Sequence, residues 1–155
     1  NILKKRLSFG KFNNFLKKKY YEPDIQIQFS PYLSKIASSS IDISDGLAQD
    51  LQHLCTNSRC GALVDLNSLP LSSICKTLIK QKKIQLKNIF SNGDDYQILF
   101  TANKKKRNLI KKISMYTATR ISKVGIVKST PNSKSISIIN GNFKLPLKQG
   151  YIHNF

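Results

Sequence analysis

Apolar positions along the chain switch repeatedly between helical and strand spacing. Phe12, Phe15 and Leu16 fall on one side of a short amphipathic helix over 11–20, which Pro23 breaks. Ser30-Pro31 has the form of an N-cap followed by proline at the first helical position, opening a short helix to about Ala37. Ser39 to Ile43 predicts a strand that runs into Ser44-Asp45-Gly46. Leu47, Leu51 and Leu54 then stand at i, i+4 and i+7, the stripe of a core-facing helix, with Ser44 or Asp45 as its natural N-cap. Gly61 closes that region, 62–66 reads as a strand, and Pro70 leads into a helix over about 72–81.

The second half continues the alternation. Residues 96–101 predict a strand, and Asn103 caps a helix that turns Leu109, Ile110 and Ile113 inward and ends near Tyr116. Residues 120–128 alternate as a strand with Gly125 inside it. Residues 135–139 and 142–145 flank Asn140-Gly141, the signal of a type I′ hairpin. Strands alternating with helices, closed by a hairpin, specify an α/β or α+β domain with a mixed sheet covered by helices. At 155 residues the chain fits one domain with a real core.

Composition narrows the function classes. No apolar run approaches the ~20 residues of a membrane span. Asn1 to Arg6 has no long apolar stretch behind it, so no signal peptide is expected. The missing initiator Met points to a chain that is part of something longer. Cys55, Cys60 and Cys75 are odd in number and lack metal-type spacing, and only His53 and His153 could join them. Reduced, buried thiols in a cytoplasmic protein are the expectation. The net charge of +18 would suit a polyanion. However, only Arg6, Arg59, Arg107 and Arg120 are arginine, and the lysines scatter over predicted helix faces and loops. Geometric recognition of phosphates and bases favours arginine, so a solvated lysine surface is expected rather than a nucleic-acid site.

Against that basic background the acids cluster. Of eight Asp and Glu residues, Asp42, Asp45 and Asp50 lie in one segment, and Asp94 and Asp95 stand side by side after Asn92-Gly93. Asp42 ends a strand and Asp45 follows at the mouth of a helix. Such a turn joins carboxylates, backbone N–H groups and a positive helix end. Ser44 can offer a hydroxyl and an amide to phosphate, and Asp42 and Asp45 offer hard oxygens to Mg²⁺. Gly46 lets the backbone come close. Phosphoryl transfer requires that combination. The plainer alternative is that Ser44 and Asp45 only cap the helix, although a cap needs no carboxylate at Asp42. Asp94 and Asp95 form either a simple turn or the second wall of the same site.

These residues resemble a known family. Asp42-Ile43-Ser44-Asp45-Gly46-Leu47 with Asp50-Leu51, then Gly61-Ala62, Asp65-Leu66 and Leu69-Pro70-Leu71-Ser72, are similar to bacterial thiamine-monophosphate kinase. Asn92-Gly93-Asp94-Asp95-Tyr96-Gln97 matches the family's Gly-Gly-Glu-Asp-Tyr-Glu segment, Val124-Gly125-Ile126-Val127 its Ile-Gly segment, and Gly150 to Phe155 its terminus. The resemblance runs from about residue 15 to the end but covers only the family's C-terminal half. It implies a three-layer α/β/α domain with a mixed sheet, partly ferredoxin-like, the C-terminal domain of the aminoimidazole-ribonucleotide-synthetase-like fold.

The activity implied is transfer of the γ-phosphoryl of ATP to thiamine phosphate with Mg²⁺, giving thiamine diphosphate. By resemblance, Asp42 and Asp45 bind magnesium and Ser44 contacts ATP. Asp94 replaces a substrate-binding glutamate and is one methylene shorter. Tyr151 stands at the terminal aromatic that packs on substrate, with Phe155 as the alternative. The absent N-terminal half would supply most magnesium ligands, most of the ATP site and the homodimer contacts, so this chain alone is expected to be inactive. The rival is a non-catalytic remnant or a Lys-rich polyanion-binding module.

Overall fold

The computed structural model describes residues 9–93, 96–129, 136–140 and, for the backbone alone, 143–145. Six α-helices and six strands lie among them. The helices are α1 (Asn13–Tyr21), α2 (Leu33–Ile36), α3 (Leu47–Asn57), α4 (Ser73–Lys80), α5 (Leu86–Ser91) and α6 (Arg107–Tyr116). The strands are β1 (Ser39–Asp42), β2 (Gly61–Asp65), β3 (Ile98–Thr101), β4 (Gly125–Lys128), β5 (Ile136–Asn140) and β6 (Phe143–Leu145).

The mixed sheet has the order β4-β2-β5-β6, with β2 and β5 parallel and the outer pairings antiparallel. β1 and β3 pair separately as an antiparallel ribbon, with Asp42 opposite Ile98. The result is an α+β domain.

Two clusters fill it. In the larger, Leu47, Ala48, Leu51 and Cys55 of α3 pack with Ala62, Val64, Ile136 and Ile138 of the sheet and with Phe90 of α5. The stripe read along α3 is that core face, and Leu54 is buried too. In the smaller cluster, Phe29, Ile36 of α2 and Ile113 of α6 gather with Ile98 and Phe100 of β3. Hydrophobic burial thus ties α3 to the sheet and α6 to the ribbon.

Several expectations shift. α1 forms, but Phe15 is exposed and none of the helix is buried. Ser30 is not an N-cap: Phe29 holds that position, and the Ser30 hydroxyl donates to the Ile27 carbonyl. On α6 the inward line runs through Ile110 and Ile113, at i and i+3, and leaves Leu109 exposed beside it. Asn103 does cap there, its side chain accepting from the Lys105 N–H.

Only Gly125–Lys128 of the strand expected over 120–128 joins the sheet. Residues 120–124 form a half-buried connector, in which Ile121 packs on the smaller cluster. Asn140, expected in the hairpin turn, instead belongs to β5 and pairs with Phe143, and Gly141 lies outside the described residues. The short helix α5, with Leu86, Ile89 and Phe90 at i, i+3 and i+4, was not anticipated.

At Gly125, a Cβ would meet the Leu63 carbonyl oxygen of the neighbouring strand and come 3.1 Å from the Val64 Cα. Gly125→Ala is therefore expected to cost about 1–3 kcal/mol by overpacking, read as a lower urea midpoint with an unchanged slope.

Candidate functional site

β1 delivers Asp42 to the ribbon's end, where its side chain is exposed. The ribbon then continues past its last ladder pair. The Ile43 N–H donates to the Gln97 carbonyl at 2.8 Å, and the Tyr96 N–H donates to the Ile43 carbonyl at 2.8 Å. The chain before β3 is thereby stitched to the chain after β1.

Between β1 and α3 the turn Ser44-Asp45-Gly46 is held from within by Asp50. That carboxylate is 3% exposed, the one buried charged side chain among the described residues. One of its oxygens accepts from the Ser44 N–H at 3.0 Å and from the Asp45 N–H at 3.1 Å. Asp50 sits in the first turn of α3, where a negative charge also suits the helix dipole.

This overturns two expectations. Neither Ser44 nor Asp45 is the N-cap: Gly46 occupies that position, at φ 110 and ψ 148, without a side-chain cap bond. Nor is the Ser44 amide available to a phosphate, because Asp50 has taken it. Ser44 keeps an exposed hydroxyl. Asp45 is half-buried, and one of its carboxylate oxygens accepts from the Gln49 side-chain amide at 3.2 Å.

The second acidic turn packs directly on the first. A Cβ on Gly46 would lie 2.8 Å from the Asn92 carbonyl oxygen and 2.9 Å from that of Ser91. A Cβ on Gly93 would strike the Ser44 carbonyl oxygen and come 3.0 Å from the Asp45 carbonyl carbon. Each glycine thus lets its own turn approach the other's backbone. Tyr96 stands just beyond, left-handed at φ 49, with its ring about half exposed. An aromatic residue in that region is strained, a condition that concentrates at functional sites. Asp94, Asp95, Tyr151 and Phe155 lie outside the described residues.

The donors present are Asp42, Asp45 and the Ser44 hydroxyl. Among the described residues no three His, Cys, Asp or Glu side chains gather as a closed metal cage. Two carboxylates at an open turn instead suit Mg²⁺, which is held through one or two carboxylates together with substrate phosphates. A separate shallow hollow, lined by Tyr32, Lys112, Ile113 and Tyr116, contains none of these residues. Burial, followed by the neighbouring Tyr116, raises the Tyr32 phenol above its usual range there.

No protein-family model matches the chain. Thiamine-monophosphate kinase of Buchnera aphidicola from Schizaphis graminum is 34% identical over 148 residues, which is 94% of this chain and 44% of that protein. The protein of the same name from Buchnera aphidicola of Acyrthosiphon pisum is 32% identical over 158 residues, 99% of this chain and 47% of that one. The chain belongs to the thiamine-monophosphate kinase family. It spans about half the length of these curated relatives. Among solved structures of the family, AaThiL complexed with AMPPCP and TMP superposes with a TM-score of 0.74 at 25% identity, over 99% of this chain and 45% of that one. Thiamine-monophosphate kinase from Stenotrophomonas maltophilia K279a superposes with the same TM-score at 23% identity, over 84% of this chain and 40% of that one. The fold is accordingly that of the matched portion of these kinases, 40–45% of their length.

The turn-holding role of Asp50 and the left-handed backbone of Tyr96 were missed in the sequence. Asp50 carried a signal: an acid in the first turn of a helix that follows two small polar residues. The left-handed backbone of Tyr96 carried none.

Proposed function

We propose that this chain is the C-terminal half of a thiamine-phosphate kinase, a phosphotransferase that moves the γ-phosphoryl of ATP to thiamine phosphate and yields thiamine diphosphate. The observation that carries this reading is the backbone interlock of the two glycine turns, Gly46 against Ser91-Asn92 and Gly93 against Ser44-Asp45. Two sequence segments that a capping role would leave independent are built to one fit. A relative of the family was solved with AMPPCP and TMP, an ATP-like nucleotide and a second ligand, which agrees with a site for two phosphorylated molecules.

In this reading Asp42 and Asp45 hold Mg²⁺ and Ser44 donates its hydroxyl to a phosphate oxygen of ATP. The metal, when bound, neutralises phosphate charge and so favours transfer. Asp50 acts through the turn: by anchoring the Ser44 and Asp45 amides it fixes where the Ser44 hydroxyl and the Asp45 carboxylate point. Asp94 would face the cationic thiamine, and its support is the placement of its flanks, Gly93 against Ser44 and Tyr96 bonded to Ile43. Tyr151 would cover the substrate ring. The remaining magnesium ligands, the rest of the nucleotide site and the homodimer contacts would come from an N-terminal half corresponding to the rest of the relatives' length. A cytoplasmic location belongs to the same proposal.

The test is an assay for thiamine diphosphate with ATP, Mg²⁺ and thiamine phosphate. The chain alone is expected to be silent, and an added N-terminal half from a relative is expected to restore turnover. Asp42→Asn should lower that restored rate by about 100-fold or more, as loss of a charge-stabilising group does. Full turnover by the chain alone would overturn the half-enzyme reading.

A further inference from the structure

The C-terminus of α3 carries a pair of thiols that the kinase reading does not use. Arg59 is left-handed at φ 51. The Cys60 N–H donates to the Cys55 carbonyl at 3.0 Å and the Arg59 N–H to the Thr56 carbonyl at 3.2 Å. These are the two bonds of a Schellman motif, whose outer residues bring their side chains into contact. The contact is commonly between two apolar residues, and here both are cysteine. Cys55 is fully buried in the larger cluster, and Cys60, half-buried, packs against the same cluster. Both are free thiols.

We propose that Cys55 and Cys60 form an oxidisable dithiol, the site of a reversible intramolecular disulfide made by exchange with a small-molecule disulfide such as glutathione disulfide. The backbone bond joins the two residues directly and their thiols interact side chain to side chain, the proximity a disulfide needs. The order of attack follows from the environment. Burial, and then the neighbouring Cys60, pushes the Cys55 thiol up to about 12, so it stays protonated at neutral pH. Cys60, nearer to solvent, attacks first as its thiolate. It bonds to one sulfur of glutathione disulfide and expels one glutathione thiolate. Cys55 then gives its proton to solvent, attacks the Cys60 sulfur and expels the second glutathione thiolate. Two cysteine thiols are oxidised and one disulfide is reduced to two thiols. The bridge would clamp the last turn of α3, the helix that carries the acidic turn at its other end, to the residue that leads into β2.

The unsubstituted protein offers a direct test, because trypsin cuts between Arg59 and Cys60 and separates the two cysteines. The chain is incubated with glutathione disulfide, its remaining thiols are alkylated, and the digest is read by mass spectrometry. Peptides carrying Cys55 and Cys60 are expected to be joined, and to part on reduction with dithiothreitol. In Cys55→Ser, Cys60 should stall as a stable glutathione adduct. In Cys60→Ser, Cys55 should remain an unmodified thiol. Alkylation of both cysteines in the natural chain, or a lasting glutathione adduct on Cys60 beside a free Cys55, would overturn the proposal whatever the variants do.

Discussion

Gly46→Ala is expected to destabilise the chain by about 2–6 kcal/mol. Two costs act together. The backbone at Gly46, φ 110 and ψ 148, lies in a region almost confined to glycine, and holding another residue there costs about 1–3 kcal/mol. The new Cβ would also sit 2.8 Å from the Asn92 carbonyl oxygen and 2.9 Å from the Asn92 carbonyl carbon and the Ser91 oxygen. All three are backbone atoms, so no side chain can swing aside, and overpacking adds about 1–3 kcal/mol. Gly93→Ala lacks the conformational cost, but its Cβ would strike the Ser44 backbone oxygen more closely than any contact at Gly46, so both glycine variants should lose far more stability than an exposed control such as Asn57→Ala. Urea unfolding of the three variants gives the ranking. A Gly46→Ala midpoint equal to that of the control would mean that the two turns do not meet.

Asp50→Ala is expected to cost about 2–4 kcal/mol, and Asp50→Asn clearly less. Alanine removes the acceptor of two backbone N–H groups, Ser44 and Asp45, and leaves them to find water or stay unpaired. Both bonds go to the same carboxylate oxygen. An asparagine can place its carbonyl there, keeping the bonds while losing their charge assistance. The ordering of the two variants separates this account from a generic effect of burying charge, in which Asp50→Asn would be at least as stable as the natural chain. In the proposed site the turn also aims Ser44 and Asp45, so Asp50→Ala should weaken AMPPCP binding as well as stability.

How much of this was legible in the sequence depends on the range of the interaction. The α3 stripe, the Asn103 cap and the strands β1 and β2 follow from spacing within a few residues and appear within one residue of the pattern, while β3 begins two residues later than expected, at Ile98. Leu109 was misplaced because the centre of a helix's buried face depends on what the helix packs against. The strand over 120–124 failed for a related reason: a half-buried connector alternates like a strand but has no partner ladder. The acidic turns were legible as composition, since carboxylates are scarce in this chain. Their meeting was not, because it rests on two glycines 47 positions apart touching through backbone atoms. The competition for the Ser44 amide could not be read from spacing either. Asp50 wins it only because the turn folds back over the first turn of α3.

In the proposed function the two glycine turns form one wall of a metal–nucleotide site. Mn²⁺ in place of Mg²⁺, added with AMPPCP to the ¹⁵N-labelled chain, tests it most directly through paramagnetic broadening of amide signals. The account predicts that residues 42–46 and 91–97 broaden together at low Mn²⁺, and that Asp42→Asn combined with Asp45→Asn abolishes the effect at both turns. Broadening at one turn without the other, or broadening centred on Glu22 and Asp24 and untouched by the double substitution, would contradict it.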